Sequence, residues 1–342
     1  MPGIFKTSGA RHIALSIRIR FSESKKGFAS PLTGSPVVGE TIRDTLKALR
    51  VSQPFNWMAT TTLRSIQSIS GLQSEFIVKH MHKAGAVRSK LPNGRTLRLQ
   101  SRGDDWVSNQ IYWRGWNCYE PETVPLFYRL AERANVTFDI GAYVGYFTLL
   151  AAHANPSGRT YAFEPMPAIF ERLQRHIKLN QLTNAEAFLN AAGEKDGVSD
   201  FFHIPEGLPT CSSLSLDYMH RAGLAGQVQS SRVSVITLDR FVREKNIGSV
   251  DLMKIDTEGT EHEVLRGMNE TLLRHHPDIV CEVLPGRGAE EPLEQILRHL
   301  GYRFYHLTPK GPVPRDEVKG HPVWFNYLFT TLDAKSVAAL LC

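Results

Sequence analysis

The chain has 342 residues, of which 42% are hydrophobic and 22% charged, a composition typical of a folded globular protein. Four cysteines, Cys118, Cys211, Cys281 and Cys342, stand far apart without a C-x-x-C pair. This usage argues against a zinc ribbon or a disulfide framework and favours a reducing compartment, so we expect a cytoplasmic protein. No apolar run approaches the ~20 residues of a membrane span, so none is predicted.

Charge is distributed unevenly along the chain. Residues 1–103 carry 17 Lys and Arg against 4 Asp and Glu, whereas the remainder carries 23 against 30. A basic front on an acidic body is typical of proteins that bind an acidic substrate, nucleic acid or a membrane surface. The alternative is that this basic front is a solvated leader that binds no partner.

Composition and periodicity divide the chain into four parts. Residues 1–40 are a basic leader, in which only the alternation from Ile13 to Phe21 predicts a strand. Residues 41–103 are predicted to form helices up to about residue 84, then a hairpin around the turn signal Pro92-Asn93-Gly94. Residues 104–332 form the main domain, and residues 333–342 are a tail. Five aromatic residues between 104 and 120 indicate local core, with a lid over a ligand as the alternative.

Strand and helix patterns alternate through the main domain, which predicts a parallel sheet with helices on both faces. The predicted strands are 136–141, 159–164, 185–191, 250–255, 279–283, 302–307 and 323–330. The predicted helices are 126–134, 146–154, 167–180, 238–245, 261–274 and 292–300. Residues 198–205 and 231–237 are added strands, residues 208–226 a candidate substrate loop, and residues 308–322 a long loop.

The stretch Val136–Gly145, V-T-F-D-I-G-A-Y-V-G, is predicted to be a strand that runs into a glycine turn and then a helix. Gly141 and Gly145 suit a backbone that comes close to a ligand, because a Cβ there would collide with it. Glu164 ends the next strand, nineteen residues after Gly145. An acid at that place accepts hydrogen bonds from both ribose hydroxyls of an adenosine ligand. The pattern therefore predicts a nucleoside cofactor.

The spacing of this turn distinguishes between cofactors. A dinucleotide-binding turn reads G-x-G-x-x-G, whereas this one reads D-x-G-x-x-x-G with Tyr143 in its middle. A pyrophosphate needs free backbone N–H groups, and the Asp139 carboxylate would repel it. Asp139 instead suits a cation such as S-adenosylmethionine (SAM), whose sulfonium and amino groups favour carboxylates. We expect SAM rather than a nicotinamide dinucleotide. A turn that serves only sheet packing is the alternative without a ligand.

A second group of acids follows the strand 250–255. Asp256 and Glu258 stand at its carboxyl end, where ligands bind in an open parallel sheet, and Glu282 ends the next strand with weaker support. Glu261 and Glu263 suit a helix start, where carboxylates offset the helix dipole, and His262 is interpreted as a surface residue. Asp256 or Glu258 is the candidate base that activates an acceptor hydroxyl. Alternatively, the same pair holds a divalent ion such as Mg²⁺ that acidifies the hydroxyl. No third oxygen ligand is obvious beside the pair, so no metal is predicted.

Five motifs occur in this order along the chain: F-D-I-G-A-Y-V-G-Y-F-T-L, Y-A-F-E-P, L-N-A-A, T-L-D and D-L-M-K-I-D-T-E-G-T-E-x-x-V-L-x-G. Over residues 104–330 the chain thereby resembles the FkbM-type family of SAM-dependent methyltransferases. The resemblance implies an α/β, seven-stranded Rossmann-like methyltransferase sheet, with order 3-2-1-4-5-7-6 and the seventh strand antiparallel. The apolar periodicity before it predicts a mainly helical N-terminal extension. The resemblance also implies O-methylation of a sugar, polyketide or similar secondary metabolite.

The resemblance assigns roles to residues by position. Asp256 and Glu258 match the family's paired acids near the reaction site. The implied cofactor contacts are Glu120, Asp139, Gly141, Ala142, Tyr143, Gly145, Glu164, Asn190, Ala191 and Asp256. The family commonly has Asn at the position of Tyr143, so this contact to the amino-acid end of the cofactor is lost or replaced here.

Two other functions stay open at this stage. The basic front suggests methylation of RNA or DNA, but the turn Asp256-Thr257-Glu258-Gly259 is acidic and would repel phosphates. A SAM-binding module without catalysis is the other alternative. The predicted partner is a small hydroxylated acceptor, nucleic acid is disfavoured, and a homo-oligomer is left open.

Overall fold

The computed structural model describes residues 52–70, 75–204, 212–221 and 228–341. The whole leader, with the strand predicted between Ile13 and Phe21, lies outside these residues, as does the predicted helical extension up to residue 51. So do parts of the candidate substrate loop on either side of residues 212–221.

The described residues form twelve α-helices and fourteen strands, numbered here in chain order. The helices are α1 Gln53–Ser70, α2 Glu75–His80, α3 Trp106–Arg114, α4 Val124–Arg133, α5 Tyr146–Ala154, α6 Pro167–Leu179, α7 Leu216–Arg221, α8 Leu238–Glu244, α9 Glu261–Arg266, α10 Asn269–His275, α11 Glu290–His299 and α12 Ala334–Ala339. The strands are β1 Ala84–Lys90, β2 Thr96–Arg102, β3 Val136–Ile140, β4 Arg159–Phe163, β5 Ala185–Phe188, β6 Ala191–Ala192, β7 Gly197–His203, β8 Ser212–Ser213, β9 Gln229–Ile236, β10 Leu252–Ile255, β11 Asp278–Glu282, β12 Arg303–Thr308, β13 Gly311–Arg315 and β14 Asn326–Thr330.

The main sheet has eight strands in the order β13-β12-β14-β11-β10-β3-β4-β5. Strands β3, β4, β5, β10 and β11 are parallel, and β14 runs antiparallel to both of its neighbours. Without β13, the other seven strands, counted in chain order among themselves, run 3-2-1-4-5-7-6. The expected total of seven strands is therefore wrong by one, because β13 extends the sheet.

Strand β13 lies inside the segment 308–322 that the sequence predicts to be a loop. It contains Pro312 and Pro314, and proline normally argues against a strand because it has no N–H to donate. An edge strand tolerates proline wherever the missing N–H would face away from its neighbour. Here β13 pairs only with β12, so the prolines are accommodated at the edge.

A second, smaller sheet has the order β6-β9-β7-β8. The added strands expected at 198–205 and 231–237 are its members β7 and β9, which pair antiparallel. The predicted strand 185–191 is divided, because β5 ends at Phe188 in the main sheet and Ala191 pairs with Val235 in the smaller one. The candidate loop 208–226 contains the short helix α7, so its described part is not irregular as predicted.

The helix predicted over 261–274 is two helices, α9 and α10, that meet at Gly267 and Met268. A Cβ at Gly267 would lie 1.9 Å from the carbonyl oxygen of Gly193, so the backbone here is packed directly against another segment. The Gly267 carbonyl accepts a hydrogen bond from Asp239 N instead of continuing a single helix. Residues 334–339 of the predicted tail form α12, which Asp333 caps by accepting from Ser336 N.

The N-terminal extension packs on the main domain through buried polar groups. The Asn56 side chain of α1 donates to His82 O and accepts from Ala84 N at the start of the hairpin β1–β2. Arg172 of α6 donates two hydrogen bonds of 2.8 Å to Asp104 just after the hairpin. The hairpin predicted around Asn93-Gly94 is confirmed, although it begins at Ala84, where the sequence predicts helix.

Two apolar cores lie on the two faces of the main sheet. One contains α4, α5 and the hairpin together with Tyr112 and Trp113, so the aromatic segment is local core as expected. The other contains α8, α9 and α11. No helix among the described residues is both long and apolar enough to cross a membrane.

Candidate active site

The glycine turn between β3 and α5 is held by the backbone of the neighbouring strand. The N–H groups of Gly141 and Ala142 both donate to Phe163 O at 3.0 Å, and Gly145 N–H donates to Ala142 O at 2.8 Å. Gly141 has φ +76°, and a Cβ there would lie 1.9 Å from the carbonyl oxygen of Asp256. At Gly145 a Cβ would lie 2.3 Å from Leu173 Cδ1. Both glycines are thus required by protein packing, whereas the sequence suggested close approach to a ligand.

Tyr143, at the tip of this turn, has φ 50°, an uncommon backbone conformation for a residue other than glycine. Its N–H donates to Glu164 Oε2 at 3.0 Å. Its half-buried side chain packs against the core that contains the hairpin. Burial, followed by the nearby carboxylate of Asp105, raises the pKa of the phenol. The residue therefore contributes its backbone to the turn and directs its ring toward the N-terminal extension.

Glu164 follows β4, and its two carboxylate oxygens are held by separate backbone N–H groups. Oε2 accepts from Tyr143 N at 3.0 Å and Oε1 from Met166 N at 2.8 Å. The residue is 5% exposed, and this burial raises its pKa to about 7. A carboxylate has about four acceptor sites, so two stay available for hydroxyl donors. The carboxylate is thereby fixed in position before any ligand binds.

Asp139 is the penultimate residue of β3, beneath the turn, and is almost fully buried. Its Oδ2 accepts a short hydrogen bond from the Thr148 hydroxyl of α5. Burial raises the pKa of its carboxyl to about 6, although Thr148 and the ammonium of Lys254 act in the opposite direction. Its register partner on β10 is Lys254, so a cation stands directly beside it on the sheet.

Lys254 is a charged residue inside a fully buried strand, β10. Its ammonium is 2.9 Å from Asp256 Oδ2 and 3.4 Å from Asn326 Oδ1, and lies 5.0 Å from the ring centroid of Phe147. Burial alone would lower the pKa of this ammonium, but the carboxylates of Asp256, Glu120 and Glu282 raise it. Lys254 is therefore a permanent cation that partly neutralises the acidic site.

Glu120 reaches this cluster from the segment before α4. Its Oε2 accepts from Asn326 Nδ2 at 3.0 Å, so Asn326 of β14 bridges Glu120 and Lys254. Burial raises the pKa of Glu120 to about 7, Lys254 opposes this shift, and Asp256 adds to it. Asn326 and then Lys254 thus connect Glu120, the glutamate predicted before the first strand, to Asp256.

Glu258 lies in the turn after β10 with φ 56°. Its Oε2 accepts a short hydrogen bond from the Tyr218 hydroxyl of α7. The Arg287 guanidinium lies 5.5 Å from the Tyr218 ring centroid. Burial and the neighbouring Glu261 raise the pKa of Glu258 to about 8, against the opposing charge of Arg287. A carboxyl whose pKa is raised into this range suits the role of a general base near neutral pH.

A third carboxylate joins the pair that the sequence singles out. Asp256, Glu258 and Glu282 each offer one oxygen, and these oxygens lie within 4.8 Å of one another. Glu282 Oε2 is buried without a hydrogen-bond partner among the described residues, and burial raises its pKa well above the usual range. Three carboxylates provide the type of ligand that Mg²⁺ accepts. The sequence predicts no metal, because no third oxygen ligand is obvious there. That the site holds no metal stays a prediction.

Other predicted residues have local roles. Asn190 donates to the Ser234 hydroxyl at 3.0 Å, and Ala191 is buried at the start of β6. Glu261 accepts from Thr257 N and Gly259 N, so it caps the turn before α9, in agreement with the helix-start interpretation.

Sequence reasoning missed three residues of this cluster. Lys254 had a signal, because a lone lysine stands within the apolar run L-M-K-I. Asn326 had none, because only the antiparallel register of β14 with β11 brings it opposite Glu282. Tyr218 also had none, because it lies in a segment predicted to be irregular.

Comparison with known proteins identifies relatives of the chain. Residues 139–304 match the family model of the methyltransferase FkbM domain. Methyltransferase 1 of Beauveria bassiana is 29% identical over 188 residues, which cover 52% of this chain and 75% of that protein. The 31-O-demethyl-FK506 methyltransferase FkbM of Streptomyces tacrolimicus is 25% identical over 246 residues, which cover 66% and 91%. The hexuronic acid methyltransferase AglP of Haloferax volcanii is 25% identical over 195 residues, which cover 56% and 73%.

The matched region begins at Asp139 and includes the glycine turn, Glu164, Asp256 and Glu258. It therefore contains both groups of acids that lie at the carboxyl ends of the central strands. The resemblance to the FkbM-type methyltransferase family that the five motifs indicate is therefore confirmed over residues 139–304.

Proposed function

We propose that this chain transfers the methyl group of SAM to a hydroxyl group of a small molecule. The observation that carries the proposal is the proximity of two acidic groups on neighbouring parallel strands. Asp139 and Glu164 surround the glycine turn, and Asp256 and Glu258 follow the adjacent strand β10. Ligands of open parallel sheets bind at this edge, next to the point where the strand order reverses.

Charge supports SAM at the first group. SAM carries a sulfonium and an ammonium, and the acids around the turn and Glu120 offer carboxylates to both. The fixed carboxylate of Glu164 has two acceptor sites left for the ribose hydroxyls. A pyrophosphate has no comparable support, because the N–H groups of Gly141, Ala142 and Tyr143 are already bonded to Phe163 O or Glu164.

The reaction requires an acceptor oxygen in line with the methyl carbon and the sulfur. The hydroxyl oxygen forms the new C–O bond while the C–S bond breaks, and the sulfonium becomes the neutral thioether of S-adenosylhomocysteine. The hydroxyl proton goes to a carboxylate. We assign this proton to Glu258, because its pKa of about 8 suits proton transfer at neutral pH. Asp256 is engaged by Lys254 and is assigned to the cofactor side.

The names of two relatives support a hydroxylated acceptor of the sugar or polyketide class. One is named for 31-O-demethyl-FK506 and the other for hexuronic acid. We extend only the chemical class, an alcohol on a small molecule, to this chain. A cytoplasmic setting is part of the proposal, supported by the free thiols of Cys118 and Cys281.

Calorimetric titration of the full-length protein with SAM tests the cofactor. Wild-type protein is expected to bind SAM, and Glu164→Gln to weaken binding by about 10- to 100-fold, because a neutral amide replaces a charge-assisted acceptor. Glu171→Gln is the control, since Glu171 is an exposed acid on α6 paired only with Arg175 among the contacts described. A folded wild type without SAM affinity, alone and with acceptors present, would contradict the proposal.

Transfer of labelled methyl from SAM to uronic acids, polyols and macrolide alcohols tests the reaction. Glu258→Gln is expected to reduce kcat by about 10²- to 10⁴-fold while leaving SAM affinity within about threefold. Labelled RNA or DNA in the same assay would instead identify a nucleic-acid methyltransferase. Affinity for SAM without transfer to any acceptor would favour the non-catalytic binding module.

A further inference from the structure

Helix α1 has a second apolar face that the described part of the chain leaves uncovered. Its packed face carries Asn56, which bonds to the hairpin. Phe55, Met58, Ile66 and Ile69 follow one another at intervals of three, eight and three residues, which places them on a different, single stripe of the helix. Their exposed fractions are 39%, 55%, 54% and 88%.

Helices α1 and α2 carry further exposed apolar side chains besides the stripe. Of the twelve large apolar side chains exposed in the described residues, six lie between residues 55 and 76. Besides the four of the stripe, these are Trp57 and Phe76, which are 63% and 69% exposed. Exposed apolar side chains concentrated in this way mark a surface that contacts another molecule.

The charge of the N-terminal extension indicates which kind of molecule contacts this surface. Residues 52–103 carry eight Lys and Arg and one acid, Glu75, which is already paired with Arg114. Helix α1 contains Arg64 and no acid. A second copy of this chain would bring two strongly basic N-terminal extensions together, and their like charges would repel each other. An anionic lipid surface would instead attract the same charges.

We propose that α1 docks the protein on an anionic membrane surface. The stripe, which includes the aromatic ring of Phe55, enters the boundary between head groups and acyl chains. The cations of the hairpin, among them the exposed Arg88 and Lys90, add electrostatic attraction. Helices with apolar and aromatic residues on one side and cations nearby bind in the plane of the interface. This inference is independent of the proposed methyl transfer.

Co-sedimentation of the full-length protein with vesicles tests the proposal. Binding is expected to phosphatidylcholine vesicles that contain phosphatidylglycerol, and to fall by about tenfold or more without phosphatidylglycerol or at high salt. The double substitution Ile66→Asp with Ile69→Asp is expected to reduce binding by at least about tenfold. Leu273→Asp is the matched control, because Leu273 of α10 is 53% exposed, close to the 54% of Ile66, and lies outside the stripe.

A second readout excludes unfolding as the cause of lost binding. Trp57 fluorescence, obtained by subtracting the Trp57→Phe protein from wild type, is expected to shift to shorter wavelength on anionic vesicles. The stripe variant should keep its unfolding temperature and lose this shift. Failure of wild type to bind either kind of vesicle would overturn the proposal. So would a wild-type dimer that the stripe variant dissociates, because a second copy would then be the occupant.

Discussion

The ammonium of Lys254 lies 2.9 Å from the carboxylate of Asp256, two residues further along the same buried strand end. Lys254 is 1% exposed, so its charge is compensated by the protein rather than by water. Asp256, Glu120 and Glu282 supply that compensation. The candidate site is therefore an acidic cluster built around one internal cation.

Replacing Lys254 with Met should lower the free energy of unfolding by about 3–5 kcal/mol, because the buried carboxylates would lose their counter-charge. Lys245→Met is the control. Lys245 also pairs with a carboxylate, Glu186, and faces an aromatic ring, Phe188, but lies at the surface. Its loss should cost about 1 kcal/mol or less. Urea denaturation measures the loss of unfolding free energy in both variants. Equal losses would contradict a special role for the burial of Lys254.

Gly141→Ala should abolish SAM binding and destabilise the fold by more than about 2 kcal/mol. The new Cβ would meet the Asp256 carbonyl oxygen at 1.9 Å, which would displace β10 from the turn. Gly94→Ala separates this collision from backbone strain, because Gly94 has φ +79°, close to the +76° of Gly141, with nothing within 4 Å. That control should cost about 1 kcal/mol. Similar losses of stability in the two variants would show that the contact with Asp256 is unimportant.

The contribution of Glu164 to stability should decrease as the pH rises. Its pKa is raised to about 7 in the folded protein, so the folded state binds the proton more tightly than the unfolded state does. The stabilisation is complete below the usual carboxyl pKa of ~4.5 and is lost as the pH rises through about 7. Denaturation of wild type and Glu164→Gln from pH 5 to 8 measures this, because glutamine does not titrate.

The difference in unfolding free energy between these two proteins is expected to change by up to about 3 kcal/mol, with wild type losing more stability toward pH 8. A difference that stays constant over this range would show that Glu164 titrates normally. Binding of SAM should release protons between pH 6 and 8, since a cation favours ionised carboxylates. Calorimetry in buffers of different ionisation enthalpy counts those protons.

Tyr218→Phe should move the pH dependence of methyl transfer. The Tyr218 hydroxyl donates to Glu258 Oε2, which favours the ionised carboxyl. Without this donor, the acidic limb of the kcat profile should move up by about one pH unit, with little change in SAM affinity. The rate profile of wild type and variant from pH 5.5 to 9.5 provides the comparison. An unchanged limb would remove Glu258 from the role of base.

Sequence reasoning succeeded where a local pattern determines the structure. Alternating strands and helices predicted the parallel sheet, and Asn93-Gly94 predicted the hairpin, because turns and periodicity depend on neighbouring residues. The motifs around Asp139, Glu164 and Asp256 led to the family for the same reason.

It failed where contacts between distant segments decide the outcome. The close packing of Gly141 against the Asp256 backbone and the bridge from Asn326 to Glu120 join residues that are far apart in the chain. The break at Gly267 depends on Gly193, which no local pattern reveals. Lys254 was visible in the sequence, but its role depends on Asp256 and on carboxylates from two other segments, those of Glu120 and Glu282.

The prolines of β13 have a consequence for assembly of the whole molecule. Val313 lies between Pro312 and Pro314, so the two proline nitrogens lie on the side of β13 that faces away from β12. That outer side therefore offers no N–H at these two positions, and an added strand would find no donors there. Continuous growth of the sheet into a fibre through this edge is thereby blocked. A partner that extends the main sheet by strand addition would have to use the opposite edge, β5.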